Sequence, residues 1–244
     1  MKISYTIAAY FGKRNVKHPN CLENPIWYVS QQINYINKQS VFIERIYIIC
    51  TFDKETDNKY IIDQLNEYYS SDKRIVIKVK ENDGASYTSW KFALHEDNGY
   101  SDYVILMEDD YMLYSEDSVE LLLEYFEKDS NLFYLCQFWN TNPYIQNGLN
   151  IVAHAAMSNG VINNKMYHDL RINRNMDFKV KYGTGYDVYC SNQATFLDDY
   201  NISGCLFKDI REKYSVYFPH SDIEYGKADG KKLIVPIDRD LGYF

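Results

Sequence analysis

An α/β fold built on a mostly parallel central sheet is what this sequence predicts, and three observations carry the prediction. Strand and helix signals alternate with regularity through residues 3–138. Several of the strand runs are apolar throughout, as strands covered on both faces by helices are. The length, 244 residues, suits one large α/β domain, or two intimately packed halves, with a sizeable buried core. Composition agrees, since 46% hydrophobic and 25% charged residues are globular values that exclude a disordered or fibrous chain.

The elements follow in order. Residues 3–10 are a β-branched and aromatic run that stops before Gly12 and reads as a buried strand. Apolar residues Ile26, Val29, Ile33 and Ile36 recur at helical spacing behind Pro25. A second strand is expected over 43–51, then a helix over 56–69 with Ile61, Ile62, Leu65 and Tyr68–Tyr69 on one stripe. A third strand at 74–79, a helix at 87–95 and a fourth, wholly apolar strand at 103–107 follow. A helix at 117–127, with Ser115 or Ser118 as possible caps, leads to a fifth strand at 132–138. The second half is less regular. It reads as a loop at 141–150, a short strand or turn at 152–157, helices near 163–170 and 186–197, and an irregular tail. No repeat, low-complexity segment or linker interrupts the chain.

Charge and cysteine usage narrow the function classes. With 26 Lys+Arg against 34 Asp+Glu the net charge is -8, which provides no basic field for a nucleic-acid backbone. The 25 Tyr accompany abundant Asn, Ile and Lys and only 11 Gly and 5 Pro, a pattern that AT-rich coding produces. Cys21, Cys50, Cys136, Cys190 and Cys205 form no metal-ligand spacing, and several sit in apolar runs, so a reducing compartment is expected. The first residues read as a strand rather than a leader peptide, and no stretch reaches the roughly 20 apolar residues of a spanning helix. A soluble, cytoplasmic protein is the expectation.

The most informative segment is Glu108-Asp109-Asp110, three carboxylates directly after the apolar run at 103–107. In an extended chain residues i and i+2 point the same way, so Glu108 and Asp110 are expected to converge while Asp109 faces elsewhere. Two converging carboxylates repel unless a cation lies between them. Hard oxygens at a strand's carboxyl end suit Mn²⁺ or Mg²⁺, which also take oxygens from a substrate diphosphate. In parallel sheets ligands bind at that end.

The order of elements and this triplet resemble the GT-A fold of nucleotide-sugar-dependent glycosyltransferases, in particular the inverting family 2 type. The resemblance covers residues 3–110 best. It implies that Glu108-Asp109-Asp110 is an E-x-D variant of the family's D-x-D motif, with Asp110 the principal metal ligand and Glu108 and Asp109 at the donor. The segment from Thr6 through Ala8 to Tyr10 is similar to the first-strand signature whose end lies beside the base. Asp53 matches the acidic residue that recognises uracil, which favours UDP over GDP. Glu81-Asn82-Asp83-Gly84, followed by the helix that contains Trp90 and Lys91, is similar to the family's N-x-G loop and helix. This assigns Asn82, Gly84 and Lys91 to the donor; a helix N-terminus there also suits a diphosphate. The resemblance divides the chain into a nucleotide-sugar half, 1–112, and an acceptor half, 113–244.

An inverting transfer needs a base to deprotonate the acceptor hydroxyl. Asp187, after the turn Gly183-Thr184-Gly185, is the best match to the family's acidic base; a simple first-turn carboxylate is the structural alternative. Asp198 and Asp199 are rivals at a helix's far end. In the tail, where some GT-A enzymes supply a third ligand, His220 is a candidate metal ligand. His154, Trp139, Tyr144 and Asn140-Thr141-Asn142 are expected near sugar or acceptor, whereas Trp90 reads as core. The function implied is metal-dependent transfer of a sugar from a nucleotide-diphosphate sugar to a glycan or other hydroxyl acceptor. Two alternatives stand beside it. A sugar-phosphate nucleotidyltransferase would need a glycine cluster where the chain has only Gly12-Lys13-Arg14, and a non-catalytic glycan-binding domain would need neither base nor metal.

Overall fold

The apolar runs do pair as parallel strands. The computed structural model describes residues 1–12, 19–53, 58–140, 144–146, 149–151, 154–217, 224–226 and 230–240, with the backbone alone for residues 22, 140, 144–146, 149–151, 154–158, 186, 239 and 240. The first half runs β1 (Ile3–Tyr10), α1 (Asn20–Glu23), α2 (Trp27–Ile36), β2 (Arg45–Phe52), α3 (Asn58–Tyr69), β3 (Ile75–Glu81), α4 (Ala85–Asp97) and β4 (Tyr103–Glu108). Then follow β5 (Tyr111–Leu113), α5 (Ser118–Lys128), β6 (Leu132–Asn140), β7 (Tyr144–Gln146), β8 (Leu149–Ile151), β9 (His154–Asn163), α6 (Asn164–Arg174), α7 (Tyr186–Thr195) and α8 (Asp198–Ile202). The tail holds β10 (Leu206–Asp209), β11 (Tyr214–Tyr217), β12 (Glu224–Tyr225), β13 (Lys231–Lys232), β14 (Ile234–Pro236) and α9 (Ile237–Asp240).

Seven strands form the central sheet in the order β10-β6-β9-β4-β1-β2-β3. β1 is parallel to both β2 and β4, and β2 to β3, while β9 runs antiparallel between β4 and β6. β10 closes the edge parallel to β6. A mostly parallel sheet flanked by helices, with this order and one reversed strand, is a Rossmann-like GT-A arrangement. The strand boundaries move by one or two residues from the sequence reading, and α7 stops at Thr195, so Asp198 and Asp199 open the separate α8 rather than end a longer helix.

Each face of the sheet has its own core. On one side Ile3, Tyr5, Ile7 and Ala9 of β1 pack with Ile33 of α2, Leu65 of α3 and Leu122 and Phe126 of α5. On the other, Ala8, Val104 and Leu106 pack with Tyr87, Trp90 and Leu94 of α4, Tyr167 of α6 and Phe196 and Tyr200 around α7 and α8. This two-sided burial is why β1 and β4 are apolar throughout. Of the two polar residues on β1, Ser4 is satisfied, its Oγ donating to the buried Asp97 carboxylate at 2.9 Å, whereas the buried Thr6 hydroxyl has no partner among the described residues. All five cysteines are free. Among the described residues no helix is long and apolar enough to cross a membrane.

The largest departure from the sequence reading is β9. The helix expected near 163–170 is α6; residues 152–157, however, were expected as a short strand or turn, yet β9 continues to Asn163 inside the sheet. Its composition, with Ala, Ser, Asn and Gly, has low strand propensity, and tertiary pairing overrides it. Gly160 is required there: a Cβ would lie 2.0 Å from the Leu135 carbonyl oxygen.

Candidate active site

The carboxyl ends of β1, β2, β3 and β4 lie side by side, which brings Tyr10, Asp53, Asn82 and Glu108 to one end of the sheet. β4 ends at Glu108, and Asp109 and Asp110 form a turn that leads into β5. The strictly extended i, i+2 geometry is therefore absent. Asp109 turns towards β1, where its Oδ2 accepts the Tyr10 backbone N–H at 2.8 Å and only 5% of the residue is exposed. Glu108 and Asp110 both bear on Tyr189 of α7. The Tyr189 hydroxyl is pushed well above its usual range by the Glu108 carboxylate first, then by burial, the neighbouring Tyr87 and Tyr111, and Asp110. Asp109 thus faces elsewhere, and Glu108 and Asp110 share one electrostatic environment.

The supports of this turn come from distant parts of the chain. Ser86 Oγ in the first turn of α4 donates to Glu108 Oε1 at 2.7 Å. The buried Asn159 of β9 accepts the Glu108 N–H at 2.7 Å, one residue beyond the last β4–β9 ladder pair, Leu106 with Gly160. Its Nδ2 is buried with no partner among the described residues. Gln32 of α2 donates to the Glu108 carbonyl at 2.8 Å and accepts from the buried Tyr5 hydroxyl. Pro236 pairs with Tyr111 across the β5–β14 ribbon, and the Ile237 N–H reaches the Asp110 carbonyl at 2.8 Å. The tail therefore fastens the acidic turn.

At the carboxyl ends of β2 and β3 lies a cleft of about 740 Å³ lined by Phe52, Asp53, Asn58, Val79, Lys80, Glu81, Asn82 and Thr184, with none of the acidic-turn residues among them. Its volume is in the range of small-molecule sites. Asp53 lines it and accepts the Tyr10 hydroxyl at 2.7 Å. Asn82 lines the cleft as expected, and Gly84 starts α4 with a φ of 159°. A Cβ at Gly84 would meet Thr88 Cγ2 at 2.3 Å and the Lys181 carbonyl at 3.2 Å. The next residue, Ala85, is held at φ 54°, left-handed backbone that costs about 1–2 kcal/mol for a residue with a Cβ. Strain of this kind persists only where the surroundings over-determine it.

Those surroundings are visible. Lys80, a cleft residue with its side chain 13% exposed, pairs with Asp83 and donates to Thr88 Oγ1 at 2.9 Å and to the Glu81 carbonyl at 2.6 Å. The fully buried Asn192 of α7 accepts the Lys181 N–H at 2.6 Å and donates to the carbonyls of Gly84 and Lys181. Gly183 N–H reaches the Asp83 carbonyl at 3.0 Å. The loop from β3 to α4 and the segment leading into α7 are thus one hydrogen-bonded unit, which carries Thr184 to the cleft.

Three expectations meet the structure differently. Lys91 does not line the cleft: its Nζ donates to the Phe178 carbonyl at 2.8 Å and pairs with Asp177 at 3.0 Å, on the face of α4 crossed by residues 176–180. Ala8 is 6% exposed and packs in the apolar layer under α4, so its contribution is register, opposite Glu108. Asp187 sits in the first turn of α7 with its side chain 73% exposed and Lys181 Nζ 3.9 Å away. Of its rivals, Asp199 pairs with Lys179 at 2.6 Å, and burial raises the carboxyl of Asp198. Trp90 is core, as expected, with Nε1 on the Met107 carbonyl at 3.3 Å. His220, Thr141, Asn142, Lys13 and Arg14 lie outside the described residues, as do the side chains of Asn140, Tyr144 and His154.

Sequence reasoning missed Lys80, Ser86, Asn159, Tyr189 and Asn192. Lys78 and Lys80 look alike in an alternating strand, yet one is 40% exposed and the other 13%. The only usable signal was the position of Ser86, two residues after Gly84 in a first helical turn.

No protein-family model and no curated protein matches this sequence. Solved structures show a distant likeness. The S. aureus TarS fragment with UDP-GlcNAc aligns with 81% of this chain and 54% of its own, at 11% identity and a TM-score of 0.46. The mannosyltransferase PcManGT from Pyrobaculum calidifontis, in complex with GDP-Man and Mn²⁺, aligns with 73% of this chain and 47% of its own, at 11% identity and 0.45. The 4-diphosphocytidyl-2C-methyl-D-erythritol synthase of Anaerococcus prevotii aligns over 93% and 92% of the two chains, at 14% identity and 0.49. This chain spans about half the length of the TarS fragment.

Proposed function

We propose that this protein is a glycosyltransferase that moves a sugar from a nucleotide-diphosphate sugar to a hydroxyl acceptor with inversion. The observation that carries the reading is the pair of hydrogen bonds that ties the acidic turn to a cleft at the carboxyl ends of β2 and β3: Asp109 accepts the Tyr10 N–H at 2.8 Å, and the Tyr10 hydroxyl donates at 2.7 Å to Asp53, which lines the cleft. An α/β sheet binds its ligand at that end. The nucleotide is assigned to the cleft, with Asp53 at the base and Asn82 and Gly84 along the phosphates.

The residues present suit a divalent cation chemically: Glu108, at the end of β4, and Asp110, in the turn that follows, offer hard carboxylate oxygens. Among the described residues no set of three His, Cys, Asp or Glu side chains forms a ready-made metal cage. Mn²⁺ and Mg²⁺ complete their shells with water and substrate phosphate. Asp110 and Glu108 are assigned as its holders; when bound, the ion supplies charge neutralisation for the departing diphosphate. Asp187 is assigned as the base. Its carboxylate takes the acceptor hydroxyl's proton as that oxygen bonds to the anomeric carbon. The bond from that carbon to the diphosphate oxygen breaks on the opposite face, and the electron pair leaves with the nucleotide.

A panel of nucleotide-sugars with Mn²⁺, scored for nucleotide release with and without acceptor sugars, tests the reading. Release that depends on the ion and on Asp110 is expected. Pyrophosphate release from a nucleoside triphosphate and a sugar phosphate would replace it with nucleotidyl transfer.

A further inference from the structure

Serine and threonine in a helix commonly bond back onto the helix itself. Two in this protein do so: Ser30 Oγ donates to the Ile26 carbonyl and Thr195 Oγ1 to the Ser191 carbonyl, both at 3.0 Å. Ser86, in the first turn of α4, instead donates to another element, to Glu108 Oε1 at the end of β4, at 2.7 Å. The backbone before Ser86 is held by several bonds. Ala85 sits at φ 54°, left-handed backbone that a residue with a Cβ rarely adopts. On one side Lys80 closes the turn through Asp83, Thr88 Oγ1 and the Glu81 carbonyl. On the other, Asn192 Nδ2 donates to the Gly84 carbonyl at 3.2 Å. Glu108 is gripped along its main chain too, with Asn159 accepting its N–H at 2.7 Å and Gln32 donating to its carbonyl at 2.8 Å. Three separate elements, α2, α4 and β9, thus converge on this one residue.

Resting on the assignment of Glu108 to the cation, we propose that Ser86 is a positioning residue: its hydroxyl holds the Glu108 carboxylate in the orientation that receives the ion, and the strained turn at Ala85 sets that hydroxyl in place. An ionised carboxylate offers about four lone-pair sites, so a hydroxyl on Oε1 and a hard cation are compatible on the same group. A hydrogen bond to an ionised acceptor is about twice as strong as a neutral one, enough to favour one rotamer of a side chain that otherwise samples several. Without it the carboxylate would be ordered only when the ion arrives, and the entropy lost in that ordering opposes binding. The loop that carries Ser86 also lines the cleft with Lys80, Glu81 and Asn82. One continuous segment therefore walls the cleft and orients a carboxylate of the acidic turn.

The test is a titration of the full chain with Mn²⁺, alone and with UDP or GDP present, in which free Mn²⁺ is followed by its electron paramagnetic resonance signal. Ser86→Ala is expected to lower Mn²⁺ affinity by about 10–100-fold, the usual effect of losing a hydrogen bond behind a metal ligand, at an unchanged melting temperature. Ser86→Thr keeps the hydroxyl and is expected to restore the affinity. Ser86→Cys, of nearly the same shape but a weak donor, is expected to fall between and carries the test if the alanine variant fails to fold. In a Glu108→Gln background Ser86→Ala is expected to have no further effect, because it acts through that carboxylate. Unchanged Mn²⁺ affinity in Ser86→Ala and Ser86→Cys, a loss that Ser86→Thr does not restore, or additive losses in the double variant overturn the role of Ser86 and leave the cation assignment standing. A parent that binds no Mn²⁺ overturns both.

Discussion

Replacing the Asp110 carboxylate by an amide removes one hard anionic oxygen and keeps the size of the side chain. Because the Asp110 backbone carbonyl is held independently by the Ile237 N–H, Asp110→Asn is expected to fold normally. The Mn²⁺-dependent part of its nucleoside-diphosphate affinity is expected to vanish, a loss of at least about tenfold, or about 1.4 kcal/mol. Calorimetry with and without Mn²⁺ reads this directly, and equal isotherms for parent and mutant would remove Asp110 from the metal. Asp187 calls for a different measurement, since its side chain is exposed and stands 3.9 Å from Lys181 Nζ. Asp187→Asn is expected to leave donor affinity intact and to lower transfer by on the order of 10²–10⁴-fold. Unchanged transfer moves the role elsewhere, and a product of retained configuration removes the need for a base.

The hydrogen-bonded unit of the β3–α4 loop and the start of α7 gives elements a testable property. Asn192→Ala would leave the Lys181 N–H and the Gly84 carbonyl without their partner in a buried place, a cost of about 1–3 kcal/mol. Thermal unfolding should fall by roughly 2–4 °C per kcal/mol for a chain of this size. Donor KM should rise as well, because the same bonds hold the strained Gly84–Ala85 turn. A lower melting point with an unaltered KM would confine Asn192 to stability. At this scale the sequence was legible where apolar patterning is strong: β1, β2 and β4 are mainly apolar runs, and the spacing read for α2 and α3 buries Val29, Ile33 and Ile36 in the one and Ile61 and Leu65 in the other. It was illegible where pairing overrides propensity, as in β9, and where a polar side chain serves a distant backbone, as Asn159 and Gln32 do for Glu108. The acidic turn stood out in the sequence because three adjacent carboxylates follow a wholly apolar run; an acidic loop facing water would look the same, and the place after the fourth strand is what singled it out. Lys80 and Asn192 could not be singled out, because nothing local distinguishes a lysine or asparagine facing water from one turned inward.

Across the whole molecule, the strap at 176–180 is tied to α4 and α6 through Asp177. Burial alone would raise this carboxyl, but hydrogen bonds from His95, Tyr167 and Lys91 outweigh it and hold the group well below the usual carboxylate range. The sign follows from linkage. A carboxyl depressed in the folded state contributes stability above its unfolded value, near 3.9, and loses that contribution as pH falls towards the folded value. Asp177→Asn is therefore expected to lower the melting temperature at pH 6 and to narrow the gap to the parent below about pH 3. Melting curves across pH 2–7 check this, and a gap that widens in acid would contradict it.

The reversed strand β9 also dictates an order of assembly. It is made after β6, yet it occupies the place between β4 and β6, so β6 and β10 have no seat on the sheet until residues 154–163 have emerged. Until then β4, whose Val104, Ile105, Leu106 and Met107 are fully buried in the finished fold, presents a bare edge. An apolar edge of that kind templates wrong pairings. Residues 1–112 expressed alone would keep it permanently and are expected to self-associate, so the nucleotide-sugar half that the resemblance marks off is not expected to fold by itself. During synthesis the acidic turn at the end of β4 exists early, but it waits for the tail, through β14 and Ile237, before its geometry is set.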